Sequence, residues 1–240
     1  MVESINRVEP IDHTHAASIL DWWLEAGVDS AISESPRNWL KQHSAAPPPL
    51  SAPPEGAAAS PTAETLEAFQ SWLRDSAGLP LDRPGSRRVL PAGPEAAPIM
   101  LLSDLPGAEE VAHGRAIAGE AWILAGRMLA AIGFEPDQAY LASLACFHAP
   151  GARLSRDDLT RCGEIAREHV RLARPERLLL LGDAPARALT GQPLADARGK
   201  VHRIEGVRAV ATFHPRWLLQ RPSDKALAWR DLLILMSDEG

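Results

Sequence analysis

The chain has 240 residues, of which 45% are apolar and 23% charged, a balance suited to one globular core with room for an appendage. Two cysteines, Cys146 and Cys162, exclude a disulfide framework and, alone, a four-cysteine metal site; no apolar stretch approaches the length of a membrane span. The net charge of −6 is unevenly spread: residues 1–80 hold 11 Asp/Glu and 4 Lys/Arg, whereas the rest hold 20 and 21, so attraction to phosphates is open to the C-terminal part. The first ten residues, MVESINRVEP, lack the basic-then-apolar order of a signal peptide, and the expected setting is a reducing cytoplasm with no membrane partner.

In chain order, residues 1–44 read as a small acidic helical segment. Ile19, Leu20, Trp22, Trp23 and Leu24 fall at helical spacing before Gly27, and with Trp39 they suit either packing or docking on a protein partner. Residues 45–61, AAPPPLSAPPEGAAASP, are a Pro/Ala/Ser linker too poor in apolar surface to order itself. Residues 62–240 form the main α/β domain. A helix is expected over Thr62–Asp75 with Thr62 as its cap. Apolar strands are expected at Pro98–Leu102, Ala139–Ala145, Arg177–Leu181 and Arg208–Phe213, separated by helices at Glu120–Ala131, Arg156–Leu172, Ala184–Leu189 and Ser223–Leu235. Strands that are apolar throughout, each followed by a helical pattern, predict a three-layer αβα fold around a mostly parallel, four-stranded sheet.

Ligands of such sheets gather at the carboxyl ends of the strands. Those ends are Ser103-Asp104-Leu105-Pro106-Gly107, Ser143 onward, Gly182-Asp183-Ala184-Pro185 and His214-Pro215-Arg216. Singly, each is ambiguous. Gly182-Asp183-Ala184 suits a phosphate cradle or, better, a plain strand-to-helix turn, because Asp183 repels an anion. His214 suits catalysis or helix capping equally. Glu109-Glu110 reads as a solvated pair of carboxylates.

Order and spacing carry more weight. Ala211-Thr212-Phe213-His214-Pro215-Arg216-Trp217-Leu218-Leu219, followed by Lys225, Trp229 and Asp231-Leu232, resembles the C-terminal end of the iron–sulfur (family 4) branch of uracil-DNA glycosylases. Arg198-Gly199 resembles that family's Arg-Gly before a His-containing hairpin. Arg174-Pro175 with Leu178–Gly182 and Ala186–Leu189 resembles its Arg-Pro, strand, Gly and Ala-rich helix. Gly114-Arg115-Ala116-Ile117-Ala118-Gly119 resembles Gly-Arg-Pro-Phe-Val-Gly, and Ser103–Gly107 resembles Gly-Glu-Ala-Pro-Gly. The resemblance spans roughly residues 63–235.

The resemblance implies base excision from DNA. Asp104 takes the place of the family's acidic residue that helps position the attacking water. His214 takes that of the histidine which stabilises charge developing on the base as the glycosidic bond breaks. Leu105, Pro106, Gly107, Ile117 and Ser143 would line the base pocket, while Arg198, Lys200 and Arg216 would face the DNA backbone. The departures are equally specific. Ser143 stands where the family reads uracil with an Asn amide, and Ile117 stands where it stacks the base on Phe. The four cluster-ligand positions read Ser76, Leu79, Phe147 and Cys162, so the expectation is no iron–sulfur cluster, with Cys162 a relic. Three functions follow as expectations: a divergent glycosylase acting on uracil or another damaged base, a non-catalytic DNA- or partner-binding protein of DNA repair, or a structural relic that binds no nucleic acid.

Overall fold

The computed structural model describes residues 63–83, 85–148 and 154–237. The acidic segment, the linker and the expected Thr62 cap lie outside the described residues. The first helix, α1 (Leu66–Asp75), is capped by Thr65, whose side-chain oxygen accepts from the Ala68 N–H at 3.2 Å. Leu66, Phe69 and Leu73 make its buried stripe.

The strands β1 (Ile99–Ser103), β2 (Ala139–Ser143), β3 (Arg177–Leu181), β4 (His202–Ile204) and β5 (Val207–Thr212) form one sheet in the order β2-β1-β3-β5-β4. The four strands expected from the apolar runs are all present and mutually parallel, with Leu101 level with Leu141 on one side and Leu179 on the other. A fifth strand corrects the expected count. The β4–β5 hairpin pairs His202 with Ala209 and Ile204 with Val207 in antiparallel fashion. β4 escapes the apolar-run criterion because it is an edge strand of three residues, HRI, with one apolar side chain. The second strand also stops at Ser143, two residues before its expected end.

Two apolar layers explain why the strands are apolar on both faces. Met100, Leu102, Tyr140, Ala142, Leu178 and Leu180 pack with α1 and with Cys162, Ala166 and Val170 of α4 (Arg156–Ala173). Ile99, Leu101, Leu141, Leu179 and Val210 pack on the other face with α3 (Gly119–Ala131) and α8 (Lys225–Met236). The chain runs from β1 outward to β2 and then returns past β1 to β3. Successive connections therefore leave in opposite directions at β1 and β3, which opens a crevice beyond their carboxyl ends. Three short helices border it, α5 (Asp183–Thr190), α6 (Leu194–Ala197) and α7 (Pro215–Gln220), and α2 (Ala108–His113) follows the turn after β1. No helix among the described residues is long and apolar enough to cross a membrane.

Candidate active site

The crevice holds a cleft of about 560 Å³ lined by Asp104, Gly182, Asp183, Leu194, Ala195, Arg198, Phe213, His214 and Trp217. Asp104 follows β1, Gly182 follows β3 and His214 follows β5, so three strand ends deliver one group each. Gly182 adopts φ +108, and a Cβ there would lie 3.3 Å from Asp104 Oδ2; glycine lets the turn form and the carboxylate approach. Asp183 accepts from the Leu194 N–H at 2.8 Å and from Arg187 Nε at 2.5 Å. These bonds make Gly182-Asp183 a strand-to-helix turn whose acid is already committed.

His214 is 5% exposed and is the N-cap of α7, with Pro215 at the first helical position. Its Nδ1 accepts from the Arg216 backbone N–H at 3.0 Å. A nitrogen that accepts carries no proton, so the neutral ring holds its proton on Nε2 and donates to Ser103 Oγ at 2.9 Å. Burial, reinforced by the Arg216 charge, lowers the His214 pKa from 6.5 to about 3. The ring is therefore a neutral donor across the physiological range, and its Nε2 lies 3.9 Å from Asp104 Oδ1.

Asp104 keeps 32% of its side chain exposed, yet burial raises its pKa from 3.8 to about 6. Arg216 opposes that shift by charge and hydrogen bonding, and Glu110 adds to it. Arg216 Nη2 donates to Asp104 Oδ1 at 2.6 Å and to the Leu105 carbonyl at 3.1 Å, while Nη1 reaches Glu110 Oε2 at 3.2 Å. The same Glu110 oxygen accepts from the Gly107 N–H at 2.8 Å. A Cβ on Gly107 would meet Arg216 Nη1 at 2.5 Å and Glu110 Oε2 at 2.7 Å, so glycine makes room for this ion pair.

Glu110 corrects the reading of a solvated Glu109-Glu110 pair. Glu109 is exposed, but Glu110 is 1% exposed, and its Oε1 finds no hydrogen-bond partner among the described residues. A [ST]-x-x-E pattern would have flagged the capping role, but the cap here is Gly107.

The remaining expected site residues divide. Ser143 ends β2 and its Oγ is buried without a partner among the described residues. Ile117 is fully buried against Ile99 and Leu101, on the face of the sheet that carries α3 and α8, and does not line the cleft. Leu105, Pro106 and Gly107 shape the turn instead; the Pro106 carbonyl is 2.7 Å from His148 Nδ1. Arg198 lines the cleft but is committed to Asp231, with Nε and Nη2 at 2.8 and 2.7 Å from Oδ2. Lys200 is exposed.

Of the cluster-ligand positions, Leu79, Phe147 and Cys162 lie in one apolar core cluster. The cavity beside Cys146 and Cys162 is only about 10 Å³, lined by Leu73, Leu79, Pro80, Leu144, Ala145 and Ile165. That is about one water-sized probe. Ser76 ends α1, and its carbonyl accepts from Arg88 Nη2 at 2.5 Å. Arg88 also lies over the Phe147 ring at 5.0 Å. One buried and one partly buried thiol in a filled core do not fit a four-thiolate cluster. Burial raises the Cys146 thiol to about 11 and the Cys162 thiol to about 12, the reverse of what metal-binding thiolates need. Among the described residues no group of three or more His, Cys, Asp or Glu is placed to hold a metal ion.

The chain belongs to the uracil DNA glycosylase superfamily, whose family model matches residues 90–233. Among curated proteins it is similar to type-4 uracil-DNA glycosylases. It shares 24% identity over 178 residues with that of Pyrobaculum aerophilum, covering 70% of this chain and 91% of the relative. It shares 26% over 141 residues with that of Archaeoglobus fulgidus, covering 54% and 71% respectively. With that of Thermotoga maritima it shares 22% over 167 residues, covering 68% and 87%.

Proposed function

We propose that this chain is a divergent DNA glycosylase that hydrolyses the N-glycosidic bond of a damaged base, uracil or another, without an iron–sulfur cluster. The observation that supports it most is that His214 and Asp104 line one cleft, with His214 Nε2 3.9 Å from Asp104 Oδ1. In the reaction the bond between the sugar C1′ and the base nitrogen breaks, and its electron pair goes to the base. His214, already neutral with its Nε2–H on Ser103 Oγ, then gives that hydrogen bond instead to the oxygen of the base that gathers the negative charge. A water oxygen bonds to C1′ and its proton passes to Asp104, which is mostly ionised at neutral pH with a pKa of about 6. The base must leave the helical stack to reach this cleft, so its natural form is unpaired.

One observation favours the second reading, a binding protein without turnover. Arg216 already holds Asp104 Oδ1 at 2.6 Å, and neither Ser143 nor Ile117 offers the base-reading groups of the family. Incubating the protein with uracil-containing oligonucleotides, then cleaving at abasic sites and measuring gel retardation, separates the two. Excision supports the enzyme; retardation of DNA with no cleavage at any tested base supports the binding protein.

A further inference from the structure

The donor of the proposed chemistry is already engaged within the protein. His214 Nε2 lies 2.9 Å from Ser103 Oγ, and Ser103 is fully buried at the end of β1. That strand is central in the sheet: Ser103 is level with Ser143 on one side and with Leu181 on the other. The Ser103 carbonyl also accepts from the Leu144 N–H at 2.9 Å, so the sheet holds the hydroxyl in place. The imidazole does not need that hydroxyl to keep its orientation. Its Nδ1 accepts from the Arg216 N–H at 3.0 Å, the residue is 5% exposed, and Pro215 fixes the backbone that follows. Asp104 is held as well, with Oδ1 2.6 Å from Arg216 Nη2. The motif that Ser103–Gly107 resembles begins with glycine, which offers no hydroxyl at this place.

We infer that Ser103 caps His214: its hydroxyl takes the Nε2–H hydrogen bond and yields it only when the base oxygen becomes the better acceptor. This rests on the glycosylase reading and adds to it a positioning residue that restrains the reaction. The reason lies in the order of acceptor strengths. A neutral base carbonyl is no stronger an acceptor than a hydroxyl, and a buried N–H left without a partner is costly. An oxygen that gathers negative charge makes a hydrogen bond roughly twice as strong. The exchange from Ser103 to the base therefore belongs to the bond-breaking step. The Ser103 bond given up there is subtracted from the stabilisation that the new bond supplies. One net hydrogen bond corresponds to a rate factor of about five to ten. The hydroxyl thus slows excision and leaves DNA affinity alone.

The test pairs a spectroscopic readout with a kinetic one, both on the full chain. In protein carrying 15N-histidine, His214 is expected to show the Nε2–H tautomer with a proton protected from exchange, assigned by its loss in His214→Gln. Ser103→Ala should expose that proton to exchange. The same variant should raise the single-turnover rate of excision from uracil-containing single-stranded oligonucleotides about five- to tenfold, with DNA affinity within about twofold of wild type. Ser103→Gly should do the same, which guards against a folding defect peculiar to one substitution. A merely structural hydroxyl predicts the reverse, a slower variant with a loosened ring. The cap is overturned by an unprotected Nε2–H in the wild type, or by a rate that is unchanged or lower in both variants. No excision by any of the three proteins, with protection lost in the variants, would remove the glycosylase reading while the cap stands.

Discussion

Arg216 shows how one side chain can serve structure where a motif suggests a ligand. Glu110 is 1% exposed and Arg216 is its ion-pair partner, so removing the guanidinium leaves a buried carboxylate without its counter-charge. Arg216→Ala is expected to lower stability by about 3 kcal/mol in urea unfolding, whereas the exposed Lys200→Ala should change it by less than about 0.5 kcal/mol. Equal, small effects would show that the triad of Asp104, Glu110 and Arg216 contributes nothing to the fold. Any loss of DNA binding in Arg216→Ala has to be read against that loss of stability. Lys200 is thus the cleaner probe of phosphate contact, expected to weaken binding to all sequences alike and to reduce the salt slope. The pH dependence of excision belongs to the same scale. Asp104 acts ionised, so the rate should rise with pH through about 6 and then level, with no second limb from His214, whose pKa of about 3 lies below the range. A descending limb near 6.5 would mean that His214 acts as a cation and that its assigned tautomer is wrong.

Among the elements, Arg88 joins the end of α1 to Phe147, and Ser76 and Phe147 are two of the positions matched to cluster ligands. Arg88 donates to the carbonyls of Leu73, Arg74 and Ser76 at 2.6, 2.7 and 2.5 Å, satisfying acceptors that the end of α1 leaves open, and it stacks on Phe147. We propose that this cation at the negative end of a helix, with the apolar packing of Phe147, joins the segments that a cluster would otherwise tie. The purified protein is expected to be colourless and free of iron by elemental analysis, and Arg88→Ala should lower Tm by several degrees. Stoichiometric iron with visible absorbance would refute the replacement. The long elements were legible in the sequence because apolar runs such as Leu178–Leu181 and the Ala-rich α3 carry a clear pattern. The short ones were not. Pro215–Gln220 is one turn and a half of helix set by a proline and a histidine cap, and Ala108–His113 begins at a glycine. Asp104 and His214 were legible as strand-end groups. The burial of Glu110 was not, because its partner lies 106 residues away and only the fold brings them together.

For the whole molecule, two buried neutral histidines tie stability to pH. His169 is 4% exposed and bonded to the Tyr140 hydroxyl at 2.7 Å; burial lowers its pKa from 6.5 to about 3, as it does for His214. Between about pH 3 and 6.5 the unfolded chain binds these protons and the folded chain does not. Both groups therefore contribute stability that is present in full above 6.5 and is lost as pH falls toward 3. Asp104 acts in the opposite sense between 3.8 and about 6, where the folded state holds the proton, but it is one group against two. Thermal midpoints should therefore fall steeply on acidification below about 6, and His169→Gln should flatten that fall. A midpoint that stays constant from pH 6 to 4 would contradict the buried neutral state.

We propose that Asp104 and His214 cut the glycosidic bond of a damaged base in the cleft that they line. It is tested most directly by incubating the full chain, in excess and near pH 7.5, with single-stranded oligonucleotides each carrying one deaminated base (uracil, hypoxanthine or xanthine), followed by alkaline cleavage at abasic sites. Cleavage is expected at one or more of these bases. It should be lost in Asp104→Asn, and reduced by roughly two orders of magnitude or more in His214→Ala, as when a donor to a developing charge is removed. Absence of cleavage at every base, or cleavage undiminished in Asp104→Asn, would contradict it.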